Sequence, residues 1–145
     1  MLTQSQVQEV LGGPKVLGRK VASLVEFDHL IREGLPWASA RHVKEALDLS
    51  DELFAYWLAT SPRTLARWKK SRPRLSSATS SRLYRLAAIV VMAREVFEDM
   101  EAAMDWLRHP QVGLGGRIPL ELAMTEPGAR EVENLLGRLE HGVVS

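Results

Sequence analysis

The chain has 145 residues, 46% of them hydrophobic, which suits one medium or two small domains and is too apolar for a disordered chain. With no cysteine, it excludes disulfide scaffolds, thiol catalysis and cysteine-based zinc sites. The longest apolar run, Leu86–Ala93, is eight residues, far short of the roughly 20 that cross a bilayer. Met1–Leu11 has neither the basic start nor the apolar centre of a secretory signal, so a soluble cytoplasmic protein with no membrane partner is expected.

A formal net charge of +1 conceals a sharp segregation. Residues 1–52 carry six bases and eight acids, and residues 95–145 carry four bases and ten acids. Between them, Leu53–Arg94 holds nine bases and no acid, six of the nine lying from Arg63 to Arg74. A solvated basic face is the plain reading of such a window. The functional one is an electrostatic footprint for phosphate, centred on Arg63–Arg74.

In chain order, Gln6–Leu11 begins a short helix that Gly12-Gly13-Pro14 breaks, and Ala22–Glu33 reads as a helix stopped by Gly34. Ser39–Leu47 puts Ala40, Val43, Ala46 and Leu47 on one stripe. Ser50 caps a helix running to about Leu58, with Asp51 and Glu52 favourably placed in its first turn. Ser61-Pro62 starts the next, which runs to about Lys70 and stops before Pro73. Ser76–Ser81 reads as a polar linker or cap cluster, and Leu83–Phe97 and Met100–Leu107 as helices. Val112–Gly116 is a glycine-rich loop, Pro119 opens a short helix over Leu120–Met124, and Thr125-Glu126-Pro127 caps a last helix to about Glu140. Strand-type alternation is absent, so the expected fold is all-α.

Leu53–Lys70 carries a helix-turn-helix pattern. Ala55 is the small residue where the second helix crosses the first, Ala59 stands in the turn where glycine is usual, and Leu65 and Trp68 face inward with Phe54 and Leu58. Trp57 falls outside this inward set and is expected on another helix or at a dimer contact. Ser61, Arg63, Thr64, Arg67 and Lys70 then face outward, where arginine can grip guanine and the hydroxyls can bond phosphate or base. Lys69, Arg72 and Arg74 are expected on phosphates just beyond. The motif and the acid-free window are independent features that agree. An HTH-like bundle serving only as a scaffold for protein interactions is the competing reading.

Gly113-Leu114-Gly115-Gly116 lacks the downstream Gly-Lys-Ser/Thr of a phosphate-binding loop and follows no strand, so it reads as a tight connection. His29, His42, His109 and His141 are scattered without ligand spacing, and no nucleophile elbow or HExxH motif occurs. Neither catalysis nor a metal is expected.

The C-terminal third contains Ala103 and Trp106-Leu107, His109-Pro110, Leu114-Gly115-Gly116-Arg117, Pro119-Leu120-Glu121-Leu122, Gly128-Ala129 and the Leu136–Gly142 run. On these residues and the helix-turn-helix, the chain from about Arg41 to Val144 resembles the Xre-type antitoxins of RES–Xre toxin–antitoxin modules, relatives of the ParS and MbcA antitoxins. The resemblance implies a Cro/Xre-like helix-turn-helix bundle followed by a small helical toxin-binding domain. The expected divisions are an N-terminal helical extension, 1–38, of open role, a DNA-binding domain, 39–97, and a toxin-binding domain, 98–145.

It further implies a bacterial antitoxin that binds a RES-domain toxin, a degrader of NAD⁺, and represses its own operon, acting without cofactor as a homodimer and in a hetero-oligomer with the toxin. Expected toxin contacts are Trp106, Leu114 and Arg117 with the tail Glu140, His141, Gly142, Val143, Val144 and Ser145. Such a tail can enter a neighbouring pocket at small entropic cost, its carboxylate meeting a cationic nucleotide site; a frayed end with binding elsewhere is the alternative. A helix-turn-helix regulator without a toxin partner is the competing function.

Overall fold

The structure is a computed structural model that describes residues 3–142. Among these residues it is all-helical, with isolated bridges at Pro36–Arg74 and Gln111–Arg117 as its only β pairing. Contacts divide the chain into two compact units, which meet in sequence at residues 87/88.

The first unit begins with α1 (Gln4–Val10), opened by a reciprocal cap between Thr3 and Gln6. The Gly-Gly-Pro sequence that ends α1 also starts another helix, α2 (Gly13–Leu17), because proline is tolerated in a first turn. Ser23 caps α3 (Leu24–Glu33). This N-terminal region, without a motif in sequence, is part of the core: Val7, Leu11, Val21, Phe27 and Leu30 are all buried. Buried polar groups tie it down. The Gln8 side chain accepts the Val21 N–H, and the Ser39 hydroxyl donates to the Leu11 carbonyl at 2.7 Å.

There follow α4 (Trp37–Ala46), α5 (Asp51–Trp57), α6 (Pro62–Ser71) and α7 (Ser77–Phe97). The serine cluster is not a linker. Ser76 accepts the Thr79 N–H at 3.1 Å, and helix runs from Ser77. Ser80 is wholly buried, its hydroxyl accepting the Leu35 N–H at 2.7 Å; a bond to residue 35 satisfies what composition alone suggests is a solvent-loving stretch. One turn on, Tyr84 donates to the Gln4 side chain, and burial pushes its phenol above the ordinary value against the opposing effect of that bond.

α7 runs on past the division between the units, and its buried residues fall on both sides: Leu83, Leu86 and Ala87 before it, Ile89, Val90, Val91 and Ala93 after. The sequence pattern places its boundary at the end of this helix, 97/98; the contacts divide inside it. In the second unit, Asp99 caps α8 (Met100–Arg108) through the Ala102 N–H at 2.8 Å. A 3-10 turn at Val112–Leu114 leads to α9 (Pro119–Leu122), and Thr125 caps α10 (Glu126–Glu140). α9 packs on both α8 and α10 around Leu107, Leu120, Val132 and Leu136. No helix among the described residues is long and apolar enough to cross a membrane.

Candidate nucleic-acid interface

α5 and α6 form the helix-turn-helix, and the turn is closed by backbone bonds. Thr60 N–H reaches back to the Ala55 carbonyl at 2.9 Å, and Ala59 N–H to Tyr56 at 3.1 Å. This six-to-one, five-to-two pairing requires a left-handed residue, and Ala59 supplies it at φ 57°. The position where glycine is usual therefore does carry the conformation that glycine favours. Phe54, Ala55, Leu58 and Leu65 are buried as expected. Trp57 is buried against α7, its indole N–H donating to the Arg82 carbonyl at 2.8 Å. Trp68, expected in the core, is half-buried and meets the edge of Trp37 with ring centroids 6.4 Å apart.

Ser61 caps α6 by accepting the Thr64 N–H at 3.1 Å and donates to the Thr64 hydroxyl at 3.1 Å. Both hydroxyls expected on DNA thus serve the helix start, and Thr64 is half-buried. Arg63, Arg67, Lys69 and Lys70 are exposed. Arg63, Ala66, Arg67 and Lys70, related by three- and four-residue spacings that share a helix face, line one open concavity. No acid lies between Leu53 and Arg94, so α6 brings these cations no counter-charge of its own.

Arg72 ends α6 in the left-handed region at φ 48° and is exposed. Arg74 is different. Its guanidinium donates to the Gly34 carbonyl at 2.5 Å, and its backbone neighbours zip onto the entry to α4, with Leu75 N–H on Leu35 at 2.8 Å and Trp37 N–H on Pro73 at 3.1 Å. Arg74 is nonetheless exposed, and it also ties the exit of α6 to a residue forty positions away in sequence, a contact invisible to charge counting.

In the second unit, the glycine loop keeps its amides for itself. Leu114, Gly115, Gly116 and Arg117 N–H groups bond the carbonyls of Gln111, Val112, Gln111 and Leu114 at 2.9–3.2 Å. Gln111 Nε2 also donates to the Trp106 and His109 carbonyls. A phosphate cradle needs outward N–H groups, so the reading as a tight connection holds.

Of the residues expected at the toxin surface, Arg117, Glu140, His141 and Gly142 are exposed. Trp106 is half-buried with its ring 5.5 Å from Phe97. Leu114 is 8% exposed, so its side chain belongs to the interior, where the 3-10 turn packs on α10. The apolar group this loop displays is Val112, 94% exposed, which sequence periodicity has no means of singling out. Val143, Val144 and Ser145 lie outside the described residues.

The two units define a helix-turn-helix protein with an appended helical binding domain. Residues 26–88 match a family model described as the antitoxin Xre-like helix-turn-helix domain, and residues 92–142 one described as the antitoxin Xre/MbcA/ParS C-terminal toxin-binding domain. Among curated relatives, the antitoxin Xre of Yersinia enterocolitica is 40% identical over 84 residues, and that of Photorhabdus laumondii 34% over 84. Each alignment covers 57% of this chain and 57% of the relative. The antitoxin Xre of Pseudomonas putida is 35% identical over 81 residues, covering 55% of this chain and 50% of its own. The chain belongs to the Xre-type antitoxin family.

Proposed function

We infer that the chain is the antitoxin of a type II toxin–antitoxin pair with two separable surfaces. The first unit binds operator DNA through the outward face of α6 and represses the chain's own operon. The second binds and silences a RES-domain toxin that degrades NAD⁺. The observation that carries this reading is the open cationic face Arg63–Arg67–Lys70, with no acid on its helix, in the second helix of a closed helix-turn-helix. The other unit of the same chain matches a toxin-binding domain. Two-fold operators are read by dimers, so a homodimer is part of the proposal. The chain itself catalyses nothing in this scheme and holds no cofactor.

Co-expression with the product of the adjacent gene, followed by size exclusion and an NAD⁺ assay, tests it. A stable complex with NAD⁺ loss silenced is the expected result. A neighbour that neither binds nor affects growth when expressed alone overturns the antitoxin half and leaves a DNA-binding regulator.

A further inference from the structure

The N-terminal region precedes the residues matched by either family model, yet it is built into the first unit and carries its own acid-free cationic stretch. From Val10 to Val25 there are three bases, Lys15, Arg19 and Lys20, and no acid. All three are exposed, and none makes an ion pair among the described residues.

They are also held in place. The chain turns sharply into α2 at Gly12, φ 113°, where a Cβ would stand 2.7 Å from that of Val16. α2 packs on α4. Past Lys20, the Val21 N–H is taken by the buried Gln8 side chain, so the Arg19-Lys20 segment is tied at its far end.

Val16 of α2 lines a cavity of about 390 Å³ together with Trp37, Arg41, His42 and Glu45 of α4 and with Arg72. An adjoining cavity of about 230 Å³ shares Trp37, Arg41 and Glu45 and is bounded on the far side by Lys69 of α6. A single groove thus leads from the cationic helix α6 to α2. Its carboxylates are already engaged: Glu45 with Arg41 at 3.0 Å and Asp51 with Lys44 at 2.9 Å. Lys69 and Arg72, which line it, make no ion pair among the described residues. Fixed like charges repel one another, and a polyanion following the groove relieves that repulsion while releasing its own counterions.

We propose that Lys15, Arg19 and Lys20, exposed on the segment whose Val16 lines the groove together with Arg72, form a second phosphate-binding element that grips the DNA backbone beyond the site read by α6. This rests on the DNA-binding reading above. The element fixes no base sequence. It lengthens the footprint and adds to affinity for every duplex alike.

The test uses the full chain and two duplexes of about 40 base pairs, four helical turns, one from the region upstream of its own reading frame and one of scrambled sequence. Binding is measured from about 50 to about 300 mM salt, the range over which phosphate neutralisation shows, for the wild type and for K15A/R19A/K20A. The triple variant is expected to melt as the wild type does and to bind both duplexes at least about tenfold more weakly. Its salt slope is shallower by about 1 for each phosphate it no longer neutralises. A charge-keeping K15R/K20R variant retains wild-type binding. If the wild type binds and the triple variant matches it in affinity and slope, the second element is refuted while α6 stands. If the wild type binds neither duplex at the lowest salt, the DNA-binding reading fails and takes this inference with it.

Discussion

Ala59 adopts a left-handed conformation that costs a residue with a side chain roughly 1–2 kcal/mol. The turn accepts this because two backbone bonds close only in that geometry. Ala59→Gly removes the cost but frees the unfolded chain by about 0.4–1 kcal/mol. A net gain of somewhat under about 1 kcal/mol is expected in urea denaturation; a loss would mean that the methyl group packs. Gly128 is the opposite case, a glycine required by space alone. A Cβ there would lie 1.8 Å from the Leu122 carbonyl oxygen, where α9 meets α10. Gly128→Ala must displace backbone, so a loss at or above the usual overpacking cost of about 1–3 kcal/mol is expected, read as a lower melting temperature of the full chain.

Within single elements, what the sequence makes legible is what local spacing controls. Ala55, Ala59 and Leu65 sit at intervals fixed by how two helices cross, so the helix-turn-helix is readable from them. Caps at Ser50, Ser61, Asp99 and Thr125 are readable because each hydroxyl or carboxylate serves an N–H three residues on. Ser80, Arg74 and Leu114 are not, because their partners come from Leu35, Gly34 and α10, distant along the chain. The hydroxyls of Ser61 and Thr64, both expected on the DNA surface, are committed to a local task instead, the start of α6. On the proposed DNA-binding reading, discrimination between DNA sequences then falls to Arg63 and Arg67. Replacing either with alanine is expected to relax sequence preference by about 1–3 kcal/mol if it grips a guanine, whereas Lys69→Ala weakens all duplexes alike. Competition binding with matched and scrambled duplexes separates the two classes; identical behaviour would mean that another face of α6 meets the groove.

For the molecule as a whole, the charge division visible in the sequence follows the functional division proposed. The acid-free window ends inside α7, and the acidic remainder makes up most of the second unit. Removing Val143–Ser145 is accordingly expected to abolish toxin neutralisation in the NAD⁺ assay while leaving DNA binding intact; unchanged neutralisation would assign toxin binding to the body of the domain. One further property follows from the helix ends. Asp48, Ala59, Arg72 and Glu98 all hold left-handed backbone without the help of glycine, each at some expense to the native state, less for Asp48 than for the others. The fold therefore sits below the stability its packing would allow. A cell's proteases act on the fraction of molecules that open, and that fraction rises steeply as such margins are given up. Four residues that a stability-minded designer would replace thus each narrow the margin between the folded chain and the opened one.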